Sequence, residues 1–144
     1  MRLVFYLVAF MVVAADQLAK LLIQTSLAVG QSVPVGPVAI TYLTNTGGLF
    51  GLFPDQTLFL IFTAAIGAVA VLAYYWLLPA QTLLVRASLG LVLGGAVGNL
   101  IDRLRFGYVV DFIDLKVWPV FNLADSAVTV GIVLLACFVL FRSR

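Results

Sequence analysis

Six acidic side chains occur in this chain, and all six are aspartates: Asp16, Asp55, Asp102, Asp111, Asp114 and Asp125. There is no histidine, and Cys137 is the only cysteine. These types bound the chemistry. A Cys–His nucleophile lacks its base, and a zinc site normally needs several His or Cys ligands. Acid–base work therefore falls to aspartate. Two carboxyls held close do not both ionise readily and share a proton. One then acts as base on a water while the other hydrogen-bonds a carbonyl, and the pair titrates as a unit. Asp125 and either Asp111 or Asp114 are the candidates for such a pair. If the segment around Val109-Val110-Asp111-Phe112 is extended, Asp111 and Asp114 point to opposite faces, because strand side chains alternate. Only one of them then faces Asp125, and residue types alone leave the choice open. A Ser–Lys pair, Ser126 with Lys20, is the rival nucleophilic arrangement.

The elements that position these residues are set by an apolar composition. Of 144 residues, 64% are hydrophobic and 10% charged. A soluble domain has about a quarter of its residues charged, so the bilayer is the solvent here. The net charge of +2 points to no nucleic-acid partner. Four segments are long enough to span, at about 20 helical residues each: roughly 3–27, 56–78, 85–104 and 123–141. Pro54 precedes the second and Pro79 closes it, as proline does at helix boundaries. The first follows Arg2 and contains Ala14-Ala15, a pattern shared with cleavable leaders. The apolar run continues past Lys20, and it is read as a retained helix.

With the N-terminus inside, Arg2, Arg86, Arg142 and Arg144 lie on the cytoplasmic side, and Arg105 and Lys116 outside. Both termini are then cytoplasmic, and segments 28–55 and 105–121 are extracytoplasmic. Residues Val38 to Leu43, β-branched and aromatic, with Pro34 and Pro37 ahead of them, predict a short strand or small sheet on the membrane surface. Gly47, Gly48 and Gly51 mark a turn. No internal repeat or low-complexity segment is present, and residues 1–144 are expected to form a single membrane domain.

On this topology the polar residues collect at one side. Asp16 and Lys20, Asn99, Asp102 and Arg103, and Asn122 and Asp125 all fall at the extracytoplasmic ends of their spans. Ionisable groups within a bilayer cost about 2.5 to 3.5 kcal/mol each at mid-helix and mark function. Asp16 and Lys20 are spaced as a favourable helical ion pair. Gly94 and Gly98 form a small-xxx-small contact pattern, and Gly95, Asn99 and Arg103 share the neighbouring stripe. Arg103 is expected to anchor a carboxylate or backbone carbonyls, with Asp102 a partner for it or for another basic group. A proton-coupled transporter is the rival class, but such proteins hold their key charge near the midplane. A non-catalytic scaffold is a third reading, with the polar cluster serving only helix association.

Five blocks carry a resemblance. They are Asp16-Gln17-Leu18-Ala19-Lys20, Asn45-Thr46-Gly47-Gly48-Leu49-Phe50, Gly94-Gly95-Ala96-Val97-Gly98-Asn99-Leu100-Ile101-Asp102-Arg103, Val109-Val110-Asp111-Phe112 and Phe121-Asn122-Leu123-Ala124-Asp125-Ser126. In this order, on a four-span chain, they resemble the bacterial lipoprotein signal peptidases, or signal peptidase II. The chain departs at Gly48-Leu49, where that family commonly has two alanines. The resemblance implies an all-α membrane protein: a four-helix bundle with a small extracytoplasmic β-cradle and a mobile periplasmic loop or helix. It implies an aspartic endopeptidase that cuts prolipoproteins just before a diacylglyceryl-modified cysteine, in the bacterial inner membrane. The catalytic pair would fall on Asp111 and Asp125. Asp16, Lys20, Asn45, Gly95, Asn99, Arg103 and Asn122 would bind substrate or shape the site. No metal or organic cofactor is expected. The partners are lipid-modified prolipoproteins and membrane lipid, and nothing demands a second subunit, so a monomer is expected.

Overall fold

The structure, a computed structural model, describes residues 3–47, 56–77 and 82–142. Four long helices run through it: α1 (Leu3–Ser26), α2 (Thr57–Leu77), α3 (Leu83–Phe106) and α4 (Leu123–Arg142). Each is long and apolar enough to cross a membrane. The reason is elementary. Within hydrocarbon every backbone N–H and C=O must be satisfied inside the segment, and a helix does this. Twenty residues at 1.5 Å rise cover the hydrocarbon core. The sequence limits hold to within two residues at each helix end. Pro54, Pro79, Gly48 and Gly51, with the departure at Gly48-Leu49, lie outside the described residues.

α3 is the central helix. Half of its span is buried, against 17% or less for the other three. Its glycines explain why. A Cβ on Gly94 would stand 2.7 Å from the Ala9 carbonyl oxygen of α1, and one on Gly95 would run into the Ala124 carbonyl of α4. The expected small-residue contact is thus real, and it is two-sided: consecutive glycines face different helices. Away from the polar end, Phe5 stacks on Tyr75 with ring centroids 4.0 Å apart, over Val85, Leu89 and Leu93. Large apolar side chains such as Phe10, Phe62, Ile66 and Phe141 point outward, as they should where the surroundings are lipid.

Three strands make one antiparallel sheet in the order β1 (Ser32–Val35), β2 (Val38–Asn45), β3 (Val109–Asp114). β2 covers the predicted strand and runs two residues beyond it. β1 has no strong sequence signal because it contains Pro34. As an edge strand it tolerates the missing donor. Gly36, at φ 62°, opens the two-residue turn that joins β1 to β2, where a hairpin favours glycine. α3 stops at Gly107, whose φ of 78° ends the helix while its N–H donates to the Arg103 carbonyl at 3.0 Å. The chain leaves that cap directly into β3. The sheet is therefore tied to the end of the bundle that holds the polar residues.

The packing makes a prediction. Gly95→Ala forces α3 and α4 apart and should destabilise the protein by about 1–3 kcal/mol. Gly67→Ala, where nothing lies within 4 Å, should be neutral or stabilising, since alanine is the better helix former. Thermal melting of both variants in one detergent checks this; equal melting temperatures would contradict it.

Candidate active site

The site begins with a lysine between two carboxylates. Lys20 Nζ lies 2.8 Å from Asp16 Oδ2, one helical turn away, and 2.8 Å from Asp102 Oδ2 on α3. All three residues are buried. Asp102 therefore pairs with Lys20 and not with Arg103. Each carboxylate also accepts from a backbone N–H. Asp16 Oδ1 takes the Ala124 N–H at 2.9 Å, and Asp102 Oδ2 takes the Val110 N–H at 3.1 Å. Ala124 immediately precedes Asp125, and Val110 immediately precedes Asp111. The ion triad thus fixes the backbone next to both candidate aspartates.

Asn122 links the two. It caps α4: its Oδ1 accepts the Asp125 N–H at 2.9 Å, and Asp125 Oδ2 accepts the Asn122 N–H at 3.3 Å. This reciprocal arrangement is a capping box. Asn122 Nδ2, fully buried, donates to Asp111 Oδ1 at 2.7 Å and also to Asn99 Oδ1 at 3.1 Å. Asn99 Oδ1 accepts from Lys20 Nζ at 3.0 Å, which leaves its Nδ2 to donate to Asp125 Oδ1 at 2.7 Å. Asn45 completes the set from the end of β2. Its Oδ1 accepts the Gly47 N–H, and its Nδ2 donates to Asp111 Oδ2 at 2.9 Å. Asp111 and Asp125 line one cavity of about 40 Å³ together with Asn45, Asn99 and Arg103. That is room for a few waters at most. Burial, with the charge of Asp125, outweighs the two amide donors and lifts the Asp111 carboxyl to about 7.

The structure answers the question that residue types left open. The segment is extended as β3, and Asp114 faces away from the cavity. It accepts from Thr41 Oγ1 at 2.8 Å and pairs with Lys116 at 2.7 Å. Hydrogen bonds from Lys116 and then Thr41 hold it at about 2, an ordinary ionised carboxylate. The Ser–Lys alternative is not assembled. The Ser126 hydroxyl donates to the Asn122 carbonyl at 3.0 Å, and the Lys20 ammonium is committed to its two carboxylates.

Two of the expected site residues take different places. Arg103 makes no ion pair within 4.0 Å among the described residues, and its guanidinium lines the cavity beside both aspartates. Gly95 acts through helix packing and does not line the cavity. Gln17 was not singled out by sequence reasoning. Its Nε2 donates to Asp102 Oδ1 at 2.9 Å and to the Gly98 carbonyl at 3.2 Å. A second polar residue beside Asp16 in an apolar span was the available signal. Trp118, Pro119 and Val120 wall the cavity from the loop before α4, with no signal in their spacing.

The triad predicts a large mutational effect. Lys20→Met would leave two buried carboxylates without their shared cation, a loss of about 3–5 kcal/mol by comparison with other broken buried pairs. Chemical or thermal unfolding in detergent measures it, and a loss under about 1 kcal/mol would show that the triad is not a stabilising element.

Comparison with known proteins agrees with this geometry. Residues 8–141 match the family model described as signal peptidase (SPase) II. The lipoprotein signal peptidase of Moorella thermoacetica is 49% identical over 133 residues, covering 91% of this chain and 89% of that protein. The lipoprotein signal peptidase of Halothermothrix orenii is 42% identical, covering 92% of each. A solved bacterial membrane enzyme superposes with a TM-score of 0.90 at 34% identity, covering 96% of this chain and 88% of the other. A second superposes at 0.85 with 35% identity, covering 94% and 92%. With a family model matching most of its length and relatives at 42% and 49% identity covered almost end to end, this chain belongs to the signal peptidase II family of membrane proteases.

Proposed function

We propose that this protein is an aspartic endopeptidase that removes signal peptides from lipid-modified prolipoproteins, cutting before the lipidated cysteine, with Asp111 and Asp125 as the catalytic pair. The observation that carries the reading is the joint presentation of these two carboxyls to one small cavity, tied through a single buried asparagine. Family membership supports the substrate class.

The environments of the two carboxyls differ in a way that assigns their roles. Asp125 sits in the first turn of α4 and accepts from Asn99 and from a backbone N–H. A helix N-terminus favours an anion. Asp111 lies on a strand without that field, and burial keeps its proton up to about pH 7. Asp125 is then the base and Asp111 the acid. Asp125 takes a proton from water as the oxygen attacks the scissile carbonyl, and Asp111 protonates the carbonyl oxygen. On collapse the amine leaves with the proton held by Asp125, and Asp111 recovers its own. Arg103 supplies a positive charge beside the pair. The chain works as one unit, as a monomer, with both termini cytoplasmic and the cavity at the outer membrane boundary. There the lipid and the peptide can arrive from the bilayer while water reaches the carboxyls.

Purified protein in detergent with a lipid-modified prolipoprotein tests the pair. Asp111→Asn and Asp125→Asn should each lower cleavage by about 10²-fold or more, the low end for removing general acid–base catalysis. Asp114→Asn and Ser126→Ala should stay within about tenfold. Cleavage retained by either dyad variant would sink the assignment.

A second prediction concerns pH and stability. The Asp111 carboxyl titrates near 7 in the fold and near 3.9 when unfolded. Between those values the folded state holds a proton that the unfolded state has released. The group therefore costs stability progressively as pH rises from about 4 to about 7, and no more beyond. The melting temperature of the native protein should fall relative to Asp111→Asn between about pH 4 and about pH 7. Parallel curves would contradict a raised Asp111.

A further inference from the structure

A second cavity, of about 310 Å³, opens between α1 and α3 and shares no lining residue with the first. Its volume is at the lower end for sites that hold small organic ligands. Its lining is graded. Gln24 and Arg105 stand near the ends of α1 and α3, at the level of the sheet. Gln17 lies about 10 Å deeper, from seven residues at 1.5 Å each. Leu18, Leu21 and Phe106 supply apolar surface beside these groups. The back wall is the Lys20–Asp102 ion pair.

The polar groups are incompletely used. Arg105 is exposed, and its one contact among the described residues is cationic, with its guanidinium carbon 4.9 Å from the Phe106 ring centroid. Among the described residues the Gln24 side chain has no hydrogen-bond partner. Gln17 spends its Nε2 on Asp102 and the Gly98 carbonyl, while its Oε1 accepts from no described group. The cavity therefore offers a cationic fork and an amide at the head-group level, an unfilled acceptor below them, and apolar surface alongside. An anion would meet Arg105 and Gln24, and a hydrocarbon chain would lie on Leu18 and Leu21 below them.

We infer that this cavity is a binding site for an anionic phospholipid taken from the leaflet on the sheet side. Charge complementarity favours it. Arginines at helix ends attract anionic head groups, and this one has no carboxylate partner within 4.0 Å among the described residues. The site is separate from the aspartate cavity, and the inference does not depend on the peptidase reading.

Native mass spectrometry of the full chain released from detergent, titrated with lipids of matched acyl chains, tests it. Phosphatidylglycerol should bind at least about fivefold more tightly than phosphatidylcholine. That factor corresponds to about 1 kcal/mol for one arginine at the membrane surface. Arg105→Gln, at an exposed position, should fold normally and abolish the preference over phosphatidylcholine. Asp111→Asn should retain the preference, whatever its effect on cleavage. Equal binding of the two lipids, or a preference that survives Arg105→Gln, would overturn the proposal. Displacement by soluble glycerol phosphate at the same concentration would also overturn it, by making the ligand a free phosphate ester.

Discussion

The arrangement depends on one lysine held between two carboxylates. Lys20 joins α1 to α3, and the carboxylates it neutralises reach the backbone of β3 and of α4. Buried charges are tolerable only when paired and hydrogen-bonded, and here each Lys20 proton and each oxygen of the two carboxylates has a partner. Both of the backbone groups so held lie one residue before a candidate aspartate. The triad sets where the chain must be, and Asn122 and Asn99 set how the two carboxyls are turned. An apolar triad of the same volume has no acceptors and could not hold two backbone N–H groups at fixed points.

Close helix packing makes this possible. The side chain of Lys20 can reach Asp102 only because α1 and α3 approach closely, and Gly90, Gly94 and Gly98 permit that approach. A Cβ on Gly98 would fall 2.8 Å from Asp16 Oδ2, so even the carboxylate needs the missing side chain. Small residues govern helix association in membranes because lipid tails are as apolar as leucine and give no hydrophobic drive between helices. The polar triad and the glycine seam are therefore one design: the seam brings the charges together, and the charges give the seam a fixed register.

Much of this was legible in the chain. Four apolar runs gave four helices because hydrocarbon leaves the backbone few alternatives. The clustering of polar residues at one end followed from the alternation of spans. The pairing of Lys20 with Asp16 followed from helical spacing. What could not be read was long-range geometry. Whether Asp102 met Arg103 or Lys20 depended on the rotation of α3, which adjacency in sequence does not fix. Whether Asp111 or Asp114 met Asp125 depended on β3 being extended and on which of its faces turned inward. β1 stayed hidden because Pro34 reads against a strand except at an edge.

The account makes the aspartates a single titrating pair with one proton shared unevenly. Difference infrared spectroscopy of the carboxyl stretch, on the protein through a pH titration, measures this most directly. The account predicts one protonated carboxyl at neutral pH that titrates near 7 and is absent in Asp111→Asn. A spectrum with no protonated carboxyl above about pH 5, where ordinary aspartates are ionised, would contradict it.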